Sequence, residues 1–196
     1  MVDNVIFSPR ANLRFNPTQN INLRLSYSSG FRAPQAFDED MHIENVGGTV
    51  AMIERAKDLK EEKSQSFSAS ADMYHRFGAF QTNLLIEGFY TRLTDVFVLG
   101  EPYDRGDGIL VKTRSNGPGA KVMGLTLEGK VAYLSILQIQ AGLTLQRSRY
   151  DEPHKWHDDA PAEKKIFRTP DTYGYFTATC TPIKPLSIAL SGTYTG

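Results

Sequence analysis

The feature that most constrains this chain is a two-residue rhythm of apolar and polar side chains that returns along most of its length. Ile21, Leu23, Leu25 and Tyr27 alternate with Asn22, Arg24, Ser26 and Ser28. Phe67, Ala69, Ala71 and Met73 alternate with Ser66, Ser68, Ser70 and Asp72. A period of two sends successive side chains to opposite faces, so each stretch reads as a strand with one oily and one wet face. The same rhythm marks Phe7 to Asn16, Phe80 to about Phe97, Ile109 to Tyr133 with a break at Asn116-Gly117-Pro118-Gly119, Leu137 to Gln146, Arg168 to Thr181, and the stretch from Leu186 to the C-terminal end. Part of the connection between the second and third strands, Val50 to Leu59, is expected to form a short helix. With no longer helical period and no sequence repeat, the expected fold is all-β, an antiparallel up-and-down meander of about eight strands.

Composition narrows the class. Of 196 residues, 22 are basic and 22 acidic, so the basic excess of a nucleic-acid binder is missing and no nucleic-acid partner is expected. A chain that is 40% hydrophobic and 22% charged is not disordered. The single Cys180 excludes an internal disulfide framework and a cysteine-based zinc cluster. Met1-Val2-Asp3-Asn4 lacks the basic and apolar regions of a signal peptide, and no apolar run is long enough for a spanning helix. Short alternating strands nevertheless cross lipid when a barrel closes them.

Which face is the inside follows from two patterns. The polar face holds Arg10, Arg14, Arg24, Asp72, Glu87, Glu128, Lys130, Gln138, Gln140 and Gln146, suited to a wet lumen, while the opposite face is rich in Leu, Ala, Ile and Phe. The connections alternate short and long: Pro17–Asn20, Phe31–Leu59, Gly78, Leu99–Gly108, Ser135, Asp151–Lys165, Pro182–Pro185. All tight turns then lie at one end and all long loops at the other, the asymmetry of outer-membrane barrels. Phe15, Phe77, Phe80 and Tyr133 near the turns, and Tyr27, Phe31, Tyr90 and Tyr150 toward the loops, fit two interfacial girdles. The competing architecture is a small soluble barrel of lipocalin type, which needs an apolar interior.

Five segments in order resemble one family, the TonB-dependent outer-membrane receptors. They are Ser8-Pro-Arg-Ala-Asn-Leu-Arg-Phe-Asn-Pro with Leu25-Ser-Tyr-Ser-Ser-Gly-Phe-Arg-Ala-Pro, then Leu59-Lys-Glu-Glu-Lys-Ser, Phe89-Tyr-Thr-Arg-Leu-Thr-Asp-Val-Phe, Asn116-Gly-Pro-Gly-Ala-Lys-Val-Met-Gly-Leu-Thr-Leu-Glu, and Phe167-Arg-Thr-Pro. Glu61 departs from the pattern, standing where the family usually has proline. The resemblance implies a barrel of about 22 strands with an N-terminal plug. Residues 1–196 would then be a fragment from its C-terminal part, with signal peptide, plug and last strands absent. Open strand edges are costly in lipid, so the isolated piece is expected to close on itself, pair with another copy, or depart from the native assembly.

The implied function is uptake of a bound iron chelate, corrinoid, haem or glycan at the bacterial outer membrane. Outer-membrane lipid, an extracellular small-molecule or glycan ligand, and the TonB complex acting through the missing N-terminal part are the expected partners. No enzyme activity, cofactor or metal is expected. No Gly-x-Ser-x-Gly, His-Glu-x-x-His or P-loop pattern occurs, and His75 lies too near a turn for a lipase-like Ser–His pair. Candidate ligand-binding residues lie in the long loops. Asp38, Asp40 and His42 stand with Glu39 and Glu44, although their spacing is not that of an EF-hand. His154, Trp156 and His157 stand with Asp158 and Asp159, a His-x-x-His grouping of a kind that suits transition metals or haem. For both clusters an ordinary solvated loop is the simpler reading. Arg32 at the loop mouth suits an anion, and Tyr103, like Trp156, suits stacking on a planar ligand.

Overall fold

The computed structural model describes residues 6–34, 51–106, 109–154, 161–166 and 169–196. Its strands are β1 (Arg10–Thr18), β2 (Ile21–Arg32), β3 (Ala51–Arg55), β4 (Glu62–Phe77), β5 (Phe80–Thr94), β6 (Phe97–Leu99), β7 (Tyr103–Asp104), β8 (Leu110–Asn116), β9 (Ala120–Tyr133), β10 (Leu137–His154), β11 (Glu163–Lys165), β12 (Thr172–Ile183) and β13 (Leu186–Thr195). The eight long strands form one antiparallel sheet in the order β1-β2-β4-β5-β9-β10-β12-β13, with β11 added to β10. That is the meander read from the alternation. The path ends at β1 and β13 without a ladder between them, so the sheet does not close on itself.

The register aligns like with like across the sheet. One row runs Phe15, Leu23, Ala71, Ile86, Leu127, Leu143. The next row on the other face runs Arg14, Arg24, Ser70, Glu87, Thr126, Thr144. A slip of one residue in any pair would place charges among the leucines, which is why the pattern pins the pairing. The apolar face is the bare one: Leu13, Leu25, Leu125, Leu143, Leu145 and Leu190 are all exposed. The polar face is the covered one, with Asn22, Thr144 and Ser148 buried. Large side chains also fill that polar face. Phe89 lies over Gly124 and Tyr175 over Gly142, where an added Cβ would come within 2.5 Å of either ring. An aromatic ring over a strand glycine covers backbone that the missing side chain would leave open.

Two aromatic rows bound the apolar face. Near the short turns Phe77 stacks on Phe80 at 5.9 Å and Phe80 meets Tyr133 at 4.8 Å. Toward the loops Tyr27 meets Phe67 at 4.9 Å, in a row continued by Tyr90 and Met123. Ten residues separate the Phe80–Tyr133 pair from the Tyr90–Met123 pair along both strands. At about 3.4 Å per residue and a tilt of ~45°, the rows stand about 25 Å apart, the height of the apolar band of an outer-membrane barrel.

Several expected boundaries move. The first ladder begins at Arg10 rather than Phe7. Pro9 has no N–H to give, and its carbonyl accepts instead from the Ser29 amide at 2.9 Å. The strand expected over Phe80 to Phe97 stops at Thr94, because Asp95 turns the chain at a φ of 55° into β6. The break at Asn116–Gly119 divides β8 from β9, as the glycines and proline suggest. The last hairpin turns at Lys184-Pro185, and β12 runs from Thr172 to Ile183. The helix expected over Val50 to Leu59 is overturned: Ala51–Arg55 is a strand paired in parallel with β8. Local propensity yields there to the open edge of β8, whose ladder satisfies the backbone groups of β3.

Candidate functional site

At the loop end a second, smaller sheet rises from the connections. β8 is its spine, flanked by β3 in parallel and by β6 and β7 antiparallel. Val111 on β8 is fully buried and Arg114 nearly so, on opposite faces of that strand. Asn116 ties it to the main sheet. Its Oδ1 accepts from the Lys60 amide at 2.7 Å, and its Nδ2 donates to the carbonyls of Lys60 at 3.0 Å and Asp95 at 2.8 Å. The Glu62 carboxylate accepts from the Phe97 amide at 3.1 Å. Arg105 and Glu54 pair at 3.8 Å across β8's two sides.

Two of the sequence-chosen residues lie at the platform, one against it and one in it. Arg32, at the end of β2, places its guanidinium carbon 5.7 Å from the centre of the Phe97 ring, a cation–π contact. Tyr103 opens β7 opposite Val111 and is half exposed. His154 is elsewhere, the last residue of β10, with Glu163 of β11 as its register partner. Asp38, Asp40, His42, Trp156 and His157, with Glu39, Glu44, Asp158 and Asp159, lie outside the described residues. Among the described residues no group of three His, Cys, Asp or Glu side chains is arranged to hold a metal ion. His75 packs on the Phe77 ring at 5.5 Å, on the bare face and away from the polar one.

Sequence reasoning missed Phe97, Arg105 and Glu54. β6 and β7 have three and two residues, too short for any period to register. Above the girdle, burial first and the Glu62 carboxylate second push the Tyr150 phenol up, so it stays protonated and able to donate. Glu61 is held below the ordinary carboxylate range, first by a backbone hydrogen bond and then by Lys63, whose Nζ is 3.1 Å away. Phe97 and Tyr103 do not share a surface: their β8 partners, Asn116 and Val111, are five residues apart and so face opposite ways. Phe97 with the Arg32 guanidinium beside it can stack on a planar ligand and contact an anion.

The polar face below is a fixed hydrogen-bonded surface. Glu128 accepts from Gln140 at 2.8 Å and from the Tyr175 hydroxyl at 2.6 Å. Thr126 and Thr144 share a bond at 3.0 Å, and Tyr74 donates to Asp72 at 2.8 Å. A face this polar, covered while the leucines are bare, reverses the arrangement a lipocalin-type barrel requires. That alternative is set aside.

Fold and faces together define the class: a sector of a barrel with a wet inside and an apolar outside. Residues 2–195 match the family model described as TonB dependent receptor-like, beta-barrel, and the chain belongs to that family. This is a family of receptors and transporters rather than of enzymes, and its members are bacterial outer-membrane proteins. Comparison with curated proteins returns no match. Among solved structures, the FrpB iron transporter from Neisseria meningitidis (F3-3 variant) superposes with a TM-score of 0.65 at 17% identity, over 96% of this chain and 26% of that one. The siderophore receptor PirA from Pseudomonas aeruginosa gives 0.67 at 17% identity, over 96% and 33%. The copper transporter OprC gives 0.55 at 14% identity, over 88% and 24%. The chain therefore spans about a quarter to a third of the length of these neighbours. At such identities the likeness speaks for the fold.

Proposed function

We propose that this chain is one sector of a longer TonB-dependent receptor barrel that takes up an extracellular metal chelate. The plug and the remaining strands come from the rest of that protein, and its N-terminal part makes the contact with TonB. The observation that carries the reading is the apolar band about 25 Å tall between two aromatic rows, on the face opposite the charged one. Family membership supports uptake, and the structural neighbours, an iron transporter, a siderophore receptor and a copper transporter, favour a chelated metal over a corrinoid, haem or glycan. Arg32, beside Phe97 of the platform, and Tyr103, on the platform's β7, are the residues offered for first contact with a ligand arriving from outside.

Deleting the gene and supplying iron only as a ferric chelate tests the reading. Growth is expected to fail on one chelate class and to return with the intact gene. Unimpaired growth and undiminished radiolabelled iron uptake across siderophore and haem sources would remove the proposed cargo. The barrel itself is read separately, by detergent-dependent folding with heat-modifiable gel mobility.

A further inference from the structure

Arg14 and Arg24 are partners in the β1–β2 ladder and stand side by side on the polar face, both exposed. Like charges directly opposite one another on a sheet are unfavourable without a counterion. Among the described residues, neither arginine makes an ion pair. Asp72, opposite Asn22 in the next row toward the turn, is taken up by the Tyr74 hydroxyl at 2.8 Å and by the Asn83 amide. Glu87 shares the arginines' row but lies beyond Ser70, two strands from Arg24, about 10 Å at the ladder spacing. One donor anchors each guanidinium: Arg14 Nε donates to Asn16 Oδ1 at 3.3 Å, and Arg24 Nε to Asn22 Oδ1 at 3.1 Å. Both asparagines lie on the turn side of their arginine, so the two forks are held from the same side. Their terminal N–H groups are unengaged among the described residues.

Neutral donors surround the pair. Asn12, Ser26 and Ser68 form the next row toward the loops, and Ser70 is opposite Arg24. None of these four side chains makes a hydrogen bond among the described residues. Farther up, the wall stays smooth. Between Arg32 and Arg24 the polar face of β2 carries only Gly30, Ser28 and Ser26, and β4 beside it carries Ser64, Ser66 and Ser68. The eight residues from Arg24 to Arg32 along a tilted strand put the pair about 19 Å below Arg32. On these two strands an anion passing inward from Arg32 meets hydroxyls, and no carboxylate or bulky side chain, until it reaches the pair.

We propose that Arg14 and Arg24 bind the two ends of a short dicarboxylate in the lumen, with Asn12, Ser26, Ser68 and Ser70 donating to its remaining oxygens. A guanidinium meets a carboxylate with two parallel donors, and two guanidiniums on adjacent strands are spaced for two carboxylates joined by a short chain. The bound dianion relieves the repulsion between the arginines, which a neutral or cationic solute would leave in place. The inference rests on the reading that the polar face lines a wet lumen. It concerns a station below the platform and does not depend on which chelate is taken up.

Phenylglyoxal modification of the assembled receptor in detergent, read residue by residue by peptide mass spectrometry, tests it with succinate as the probe. Saturating succinate is expected to slow modification of Arg14 and Arg24 about fivefold or more, as burial of both forks under carboxylates requires. Arg76, farther down the same face, is expected to react as before, and succinamide is expected to protect neither arginine of the pair. Arg24→Gln is expected to abolish the protection of Arg14 by succinate, and Arg24→Lys, which keeps the charge and loses the fork, to retain part of it. Equal reactivity with and without succinate, equal protection by succinamide, or an unaffected Arg24→Gln variant would overturn the inference. So would a pair that resists modification before succinate is added, since a carboxylate of the protein itself would then hold it. Heat-modifiable mobility separates the two readings. A folded receptor without succinate protection sinks this inference alone, whereas a wild-type protein that never shows that mobility sinks the barrel reading and this one with it.

Discussion

The two rims of the apolar face do the same job with different chemistry. At the short-turn rim, Phe77, Phe80 and Tyr133 touch ring to ring on adjacent strands, and the chain turns back within a few residues. At the loop rim, Tyr27 and Phe67 touch, but Tyr90 continues into Met123 and Arg147, cations follow, and a second sheet rises above. One rim is a closed seam and the other an interface. The difference teaches where this chain can vary without losing its barrel: the seam is part of the sheet's own packing, whereas the platform hangs from it by a few hydrogen bonds.

The largest effect that would break this comparison lies between the rims. Leu127 is at mid-height on the bare face, flanked by Ile86 and Leu143. Leu127→Arg is expected to destabilise the assembled barrel by about 2–4 kcal/mol, as a cation at the bilayer midplane does. Thr126→Arg, one residue away on the polar face, is expected to do far less. Urea titrations of folding into phosphatidylcholine vesicles compare the two, and equal losses would show that the faces have been assigned wrongly.

The rims themselves separate next. Phe80→Ala removes both ring contacts of the seam and is expected to lower global stability by about 1–3 kcal/mol, at roughly 0.5–1.5 kcal/mol for each aromatic pair beyond area. Asn116→Ala removes three hydrogen bonds of the platform and costs a similar 1–3 kcal/mol or so, but locally. Hydrogen exchange distinguishes them. Amides of β3, β6 and β8 should lose protection in Asn116→Ala while those of β5 and β9 keep theirs. Loss throughout the barrel would mean that the platform is no separate unit.

Arg32→Ala gives up a cation–π contact of about 0.5–1 kcal/mol at an exposed site. Arg32→Lys keeps the charge and loses the flat stacking surface. If the platform captures an anionic chelate, both variants should raise the dissociation constant of that ligand, alanine more than lysine, in equilibrium binding to whole receptor. The smallest effect is electrostatic. The folded carboxyl of Glu61 titrates below its reference value of 4.5, so what it contributes to holding the start of β4 is present above that value and is lost as pH falls through the lower folded one. A carboxyl titration by NMR that put Glu61 at or above the reference would remove the Lys63 contact from the account.

Much of this was legible in the chain. Ile21 to Tyr27 and Phe67 to Met73 announced strands, and the register sets Leu23 beside Ala71 and Tyr27 beside Phe67, apolar on apolar. The short–long rhythm of connections put the turns at one end, where Gly78, Leu134 and Lys184 indeed turn the chain. The site was less legible. Arg32 was chosen for its place at the loop mouth, but nothing in the order of residues told that Phe97, far along the chain, would lie beneath it. Tyr103 was chosen as an exposed aromatic, without the two-residue strand that holds it. Ala51 to Arg55 read as helix because propensity weighs only neighbours in sequence, and the partner of that segment is nearly sixty residues away.

By itself, then, the sequence determined which residues lie on the apolar face and which on the polar one. That information is local: a period of two needs no partner to be expressed, and hydrophobic burial enforces it in every strand at once. The tertiary structure alone decided which cations would stand together. Arg92, Lys121 and Arg149 are scattered along the chain and become neighbours only through the register of three strands. It also decided the platform, where the unpaired backbone edge of β8 outweighed the weak local preferences of the segments it recruited.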